Sequence, residues 1–199
     1  RFGFGLEGVL LNRKQAIRGI INGLNTENWN PETDKLIYSN YNKDKPDNKK
    51  LNKKMLQKDF DLEENDVPLF AVVSRLVPNK GLDLMEPAFR YVLENGCQLI
   101  LLGSGEKYYE NIFMELAKEY PGSASINLEF NPEKARKIYA GSDILLMPSK
   151  HEPCGISQLI AMRYGTIPIV RKTGGLADTV IDEDKKPGEG NGFEFSGYS

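Results

Sequence analysis

From residue 67 onward, two kinds of apolar segment alternate along the chain, and this alternation constrains the fold more than any other feature. "LFAVVSR" (69–75) is a continuous run rich in β-branched residues, the pattern of a strand buried on both faces. A helical stretch from Leu82 to Glu94 follows and stops at Asn95-Gly96, with Pro87 expected to kink it or to lie in its first turn. Strand-like "CQLILLG" (97–103) precedes a helix over Glu106–Tyr120 that Pro121-Gly122 ends. "SINLEF" (125–130) is the next expected strand. Asn131-Pro132-Glu133 then supplies a cap, a first-turn proline and an acidic first turn for a helix through Tyr139. "DILLMPS" reads as a strand, "ISQLIAMRYG" as a helix, "TIPIVRK" as a strand and "LADTVID" as a short helix. Repeated strand–helix alternation predicts an α/β fold, a Rossmann-like parallel sheet with helices on both faces.

The region before residue 67 is less regular. Ile17, Ile20 and Ile21 form a short apolar run ending at Asn22-Gly23, which predicts a strand leading into an exposed turn. "SNYNKDKPDNKKLNKK" (39–54) is dense in Lys, Asn and Asp and predicts a solvated, mobile connection. Leu51, Met55, Leu56 and Phe60 recur at helical spacing, so a helix with one docked face is expected there. The chain begins at Arg1 rather than a start methionine and stops at Ser199 after the strand-like "GFEFSGYS", which suggests a piece of a longer protein.

Composition narrows the function. The net charge is −2, from 26 basic and 28 acidic residues, so no global field exists to attract nucleic acid or an anionic membrane. Two well-separated cysteines argue against a disulfide framework and for a reducing, cytoplasmic setting. No apolar run approaches membrane-spanning length.

In a parallel sheet, ligands bind where strands run into helices. That rule selects "SRLVPNKG" (74–81), "GSGE" (103–106), "SKHEPCG" (149–155) and "KTGGL" (172–176). Arg75, ending an apolar strand, and Lys80, beside Gly81 at a helix start, suit a phosphate or pyrophosphate, with plain surface charge as the weaker alternative. In "KTGGL" the two glycines allow close backbone approach before a helix N-terminus, again suited to phosphate, although a tight turn would explain one of them equally well. "GSGE" lacks the third glycine of a dinucleotide fingerprint, since Tyr108 stands there, so a nicotinamide cofactor is not expected. His151 is the only histidine in the chain, which argues against a metal site built with Cys154 and Glu152. Cys154 reads as a packing residue rather than a nucleophile. Glu152 is the better candidate, to grip sugar hydroxyls or balance developing positive charge, with an exposed loop acid as the competing reading.

These residues together resemble the glycogen and starch synthases, retaining glucosyltransferases of the two-Rossmann-domain (GT-B) type. The resemblance runs through "FGFGLEGVL", "GIINGLNTENWNPETD", "VSRLVPNKGLDL", "LLGSGE", "PSKHEPCGISQLIAMRYGTIPIVRKTGGLADTV" and "GFEFSGYS". It implies that residues 1–24 connect two domains. Residues 25–199 would then be the C-terminal nucleotide-sugar-binding domain, truncated before its C-terminal helices. It implies that Arg75 and Lys80 hold the donor pyrophosphate, that Thr173, Gly174, Gly175 and Leu176 receive the distal phosphate, and that Phe130 lies beside adenine. Glu152, Cys154 and Gly155 would line the sugar pocket, Ser157 would contact phosphate or ribose, and Asn22 would lie at an inter-domain turn near the donor. Phe130 could equally be an ordinary core residue at a strand end.

Many enzymes of this two-domain type carry a second Glu eight positions after the first. Ile160 stands there, which favours the ADP-glucose branch. His151 replaces an aromatic common in the family and is assigned no catalytic role. The implied reaction transfers glucose from ADP-glucose to the non-reducing end of an α-1,4-glucan with retention, without metal or cofactor. The glucan would be bound through the other domain. The compartment would be the cytoplasm, or a plastid in a plant or alga. By itself this chain would bind ADP weakly and transfer nothing. A transferase using UDP-glucose or making a sucrose-type product, and a non-catalytic nucleotide-binding module, are the alternative readings.

Overall fold

The computed structural model describes residues 5–198. Arg1 and residues 2–4 of the "FGFGLEGVL" motif, and Ser199, lie outside them. Six strands form one sheet: β1 (Leu69–Val73), β2 (Gln98–Leu102), β3 (Ala124–Asn127), β4 (Ile144–Met147), β5 (Ile167–Arg171) and β6 (Phe193–Phe195). Every pairing is parallel and the order is β3-β2-β1-β4-β5-β6. Chain direction across the sheet therefore reverses between β1 and β4. The carboxyl ends of those two neighbours frame the crevice where such sheets bind ligands.

Helices α3 (Leu82–Glu94) and α4 (Lys107–Glu119) cover one face, and α2 (Asp47–Asp59), α5 (Pro132–Gly141) and α6 (Ser157–Arg163) the other. Strand β2 shows how the sequence divides between the faces. Leu99 and Leu101 pack with Phe89 and Phe113 of the first pair, and Ile100 and Leu102 with Leu56 and Ile138 of the second group. Successive side chains of a strand point oppositely, so an uninterrupted apolar run is what a strand between two helical layers requires. The Phe89 and Phe113 rings lie 5.4 Å apart, and each is fully buried. Burial of one such side chain stabilises the fold by roughly 1.5–3 kcal/mol.

Several expectations need correction. The apolar run at Ile17–Ile21 is not a strand: among the described residues no strand pairs with it, and Ile20 is 94% exposed. Before it lies a six-residue helix, α1 (Glu7–Asn12), without buried residues. Strand β3 ends at Asn127, earlier than Phe130, because Gly103 N–H takes the Asn127 carbonyl and Glu129 N–H turns back onto the same oxygen. Pro87 lies inside α3 rather than in its first turn, and the helix continues through it to Glu94.

The Lys- and Asn-rich stretch is not a solvated connection over its whole length. Its second half forms the start of α2, and three polar residues there anchor the helix. Buried Asn52 accepts from the Tyr38 and Ser39 amides and donates to the Ser39 and Asn48 carbonyls. Lys53 pairs with Asp143 at 2.7 Å. Lys49 Nζ donates to Ala140 O, Ser142 O and Thr166 Oγ1 at 2.9–3.1 Å, at the carboxyl end of α5 where a cation suits the helix dipole. A composition rich in Lys and Asn hides this, because an amphipathic pattern records apolar contacts and not hydrogen bonds to carbonyl oxygens.

Candidate functional site

The site is built on the loops that follow β1, β4 and β5. After β1 the chain passes Ser74 and Arg75, makes a single 3-10 turn over Pro78–Lys80, and enters α3 through Gly81 at φ 75°. A side chain at Gly81 would place its Cβ 2.1 Å from Pro148 O, so only glycine lets this turn lie against the end of β4. The contact continues as Lys150 N–H to Asn79 O at 2.9 Å. Lys80 is thereby carried to the loop after β4, where its Nζ lies 2.5 Å from Glu152 Oε2. The two side chains are 19% and 12% exposed. Buried Ser149 gives its hydroxyl to the same carboxylate oxygen at 3.3 Å. Lys80 and Glu152, selected separately as a phosphate-binding cation and a sugar-gripping acid, thus form one pair.

Two adjoining cavities open along the carboxyl edge of the sheet and share Val73, Ser74 and Arg75. The smaller, about 150 Å³, is lined by Lys80, Ser149 and Ser157 among others. The larger, about 450 Å³, is lined by Leu102, Gly103, Phe130, Asn131 and Pro132 among others. Arg75 is exposed at the boundary, and among the described residues its guanidinium has no hydrogen-bond or ion-pair partner. Phe130 is 89% exposed, which rules out the core-residue reading and leaves a bare ring on the wall of the larger cavity. Ser157 opens α6, and its hydroxyl bonds to that of Tyr139, which burial pushes up to about 12.

The "KTGGL" loop behaves differently from expectation. Helix α7 (Gly174–Thr179) begins at the glycines, two residues earlier than its sequence suggests. A Cβ at Gly174 would stand 2.1 Å from Glu152 O, and one at Gly175 would stand 2.4 Å from Cys154 Cα. Both glycines are therefore required by the backbone of the Glu152 loop, whatever ligand binds beside them. The Gly175 amide already donates to the Glu152 and Pro153 carbonyls, and the Leu176 amide to Thr173 O. Leu176 has its side chain wholly in the core with Val170 and Val180. Among the described residues, the Thr173 and Gly174 amides are the ones left for a ligand oxygen.

Cys154 and Gly155 complete the loop; Cys154 Sγ accepts the Asn22 amide at 2.9 Å, which brings the chain at Asn22 against the loop. Ile160 is a buried core residue of α6, packed in the cluster that holds Leu145 and Tyr164. The "GSGE" segment binds the chain after β1: Leu76 N–H reaches Ser104 O and Glu106 N–H reaches Leu76 O, each at 2.9 Å. Among the described residues, no group of three or more His, Cys, Asp or Glu side chains could hold a metal ion. No helix among them is long and apolar enough to cross a membrane.

Two residues of the site were not singled out from sequence. Ser149 gave no signal beyond its place at a strand end. Arg171, the last residue of β5, did: it is a cation closing an apolar strand, the criterion that selected Arg75.

Comparison with known proteins agrees with this architecture. The family model for "Glycosyl transferases group 1" matches residues 54–196. The chain is 52% identical over 197 residues to the glycogen synthase of Fervidobacterium nodosum, covering 99% of the chain and 41% of that protein. It is 49% identical over 198 residues to the glycogen synthase of Thermosipho africanus, with the same coverage. Among solved structures, the catalytic domain of starch synthase IV from Arabidopsis thaliana, bound to ADP and acarbose, superposes with a TM-score of 0.93 at 38% identity. That match covers 99% of this chain and 42% of the other. The chain thus spans 41% of the length of the curated relatives named. On a family match that takes in most of its residues, the chain belongs to the group 1 glycosyl transferases.

Proposed function

We propose that these residues are the donor-nucleotide part of a cytoplasmic glycogen or starch synthase. The full enzyme would transfer glucose from ADP-glucose to the non-reducing end of an α-1,4-glucan with retention at the anomeric carbon. The observation that carries the reading is the Lys80–Glu152 pair at the β1/β4 reversal, beside two cavities that share Arg75. In this reading the larger cavity takes the adenosine, with Phe130 against the base. The diphosphate crosses Arg75 into the smaller cavity, toward Lys80, Ser157 and the free Thr173 and Gly174 amides. The sugar then lies by Glu152, Cys154 and Gly155. Fixed cations and amides aimed at the departing diphosphate stabilise the charge that develops there, and being already oriented they need little reorganisation as the bond breaks. Two cations in this place do the work a divalent ion would otherwise do, so no metal is required.

Initial rates of the full-length enzyme with ADP-glucose and UDP-glucose in competition test the donor. NMR of the first-formed product tests retention. Arg75→Ala or Lys80→Ala is expected to lower turnover by two or more orders of magnitude with the fold intact, and unchanged turnover would sink the pyrophosphate assignment. A preference for UDP-glucose would establish the alternative donor. The isolated 199 residues are expected to bind ADP weakly and to elongate no glucan.

A further inference from the structure

We propose that Arg171 and Tyr198 form a latch that holds the 149–155 loop where Glu152 meets Lys80; the latch rests on the donor-site reading above. Arg171 Nη1 donates to Lys150 O at 3.0 Å and to Ser149 O at 3.4 Å. It therefore grips the loop backbone two and three residues before Glu152. The Tyr198 ring packs against both neighbouring cations, with its centroid 5.3 Å from the Arg171 guanidinium and 4.9 Å from the Lys150 ammonium. The Tyr198 hydroxyl donates to Asp83 Oδ1, and Lys150 Nζ lies 3.1 Å from Asp83 Oδ2. Asp83 belongs to the first turn of α3, three residues after Lys80. One cluster thus ties together the end of β5, the start of α3, the loop after β4 and the chain after β6.

The charge states suit the task. Burial works against the Asp83 carboxylate, but the hydrogen bonds from Tyr198 and Lys150 outweigh it and hold the group below its ordinary range. The hydrogen bond to Asp83, with Tyr198 adding to it, raises Lys150. Burial and the bond to Asp83 raise Tyr198, so its hydroxyl stays protonated and keeps donating. Arg171 Nε is buried with no partner among the described residues, so the guanidinium is committed through its outer edge alone. A lysine keeps the charge but lacks the flat guanidinium face that packs against Tyr198, so it would not reproduce the contact. Neither Arg171 nor Tyr198 lines the two cavities, and each acts through the loop rather than on the ligand.

The test uses the full-length enzyme with Arg171→Lys, Arg171→Ala, Tyr198→Leu and Tyr198→Phe. Misplacing a reacting group by about 1 Å costs up to roughly 100-fold, so kcat should fall about 10- to 100-fold in Arg171→Lys and Tyr198→Leu. The ADP dissociation constant should stay within about threefold, because the nucleotide contacts are untouched. Tyr198→Phe keeps the ring but loses the hydroxyl bond to Asp83, so its kcat should fall between those of the wild type and Tyr198→Leu. Added guanidinium should partly restore Arg171→Ala. Wild-type kcat in both Arg171→Lys and Tyr198→Leu would overturn the latch. So would a parallel loss of kcat, ADP affinity and thermal midpoint, which marks a general structural role. Failure of the unaltered enzyme to bind ADP would remove the donor-site reading itself, and the latch with it.

Discussion

Gly175→Ala is the sharpest perturbation available, because its target is backbone rather than a side chain that could swing aside. The new Cβ would stand 2.4 Å from both Cys154 Cα and Cys154 O, whereas ordinary contact begins at 3.4 Å. The Glu152 loop must therefore recoil by about 1 Å, a displacement that costs on the order of 100-fold in rate when it misplaces a catalytic group. That is about 2.7 kcal/mol of barrier. The substitution keeps the amide that donates to the Glu152 and Pro153 carbonyls, so it tests the space and not the hydrogen bonds. Overpacking would also lower folding stability by about 1–3 kcal/mol. The assay is glucose incorporation from ADP-glucose into glycogen by the full-length enzyme, with thermal melts of the same preparation. A kcat loss near 100-fold, with a melting temperature lowered by only a few degrees, is expected. A folded variant with unchanged kcat would refute the claim that this glycine sets the position of Glu152.

Lys80→Met strands the Glu152 carboxylate in a site where it is 12% exposed, so stability should fall by about 3 kcal/mol in urea titration. Adding Glu152→Gln should recover much of that stability and none of the turnover. Phe130→Ala should weaken ADP binding by about 1–2 kcal/mol in calorimetry without moving the melting temperature, since the ring is 89% exposed. Asp61 sits at φ 54° just past α2, where the Leu62 amide reaches Gln57 O and the Asp61 amide Lys58 O. Asp61→Gly should relieve the left-handed strain and raise stability by about 1 kcal/mol by denaturant midpoint. Burial lowers Lys49 to about 7 from 10.5, with the Asp143 carboxylate opposing the shift and Lys53 adding to it. Between these values the unfolded chain binds more protons than the folded one, so this group makes stability rise with pH from about 7 toward 10. Lys49→Met should flatten that slope.

Much was legible in the one-dimensional pattern because strand and helix periods are local. β1, β2, β4 and β5 follow from continuous apolar runs, and the α5 cap from Asn131, whose side chain accepts the Lys134 amide. The strand-to-helix loops named the site's neighbourhood, and the "HEPCG" and "TGGL" segments pointed to the family.

What stayed hidden is pairwise and distant. Lys80 and Glu152 are 72 residues apart, and their meeting at 2.5 Å depends on the β1 and β4 ends being neighbours, which sheet order alone decides. The two glycines after β5 looked like a phosphate loop, and the folded chain shows them to be spacers for a second loop. Lys49, Asn52 and Lys53 looked solvated, because no hydrophobic period records a lysine held by carbonyl oxygens more than 90 residues away. Local order is written in residue type and spacing. Which charged groups meet, and which backbone passes within contact of which glycine, arises only when the sheet brings its strand ends together.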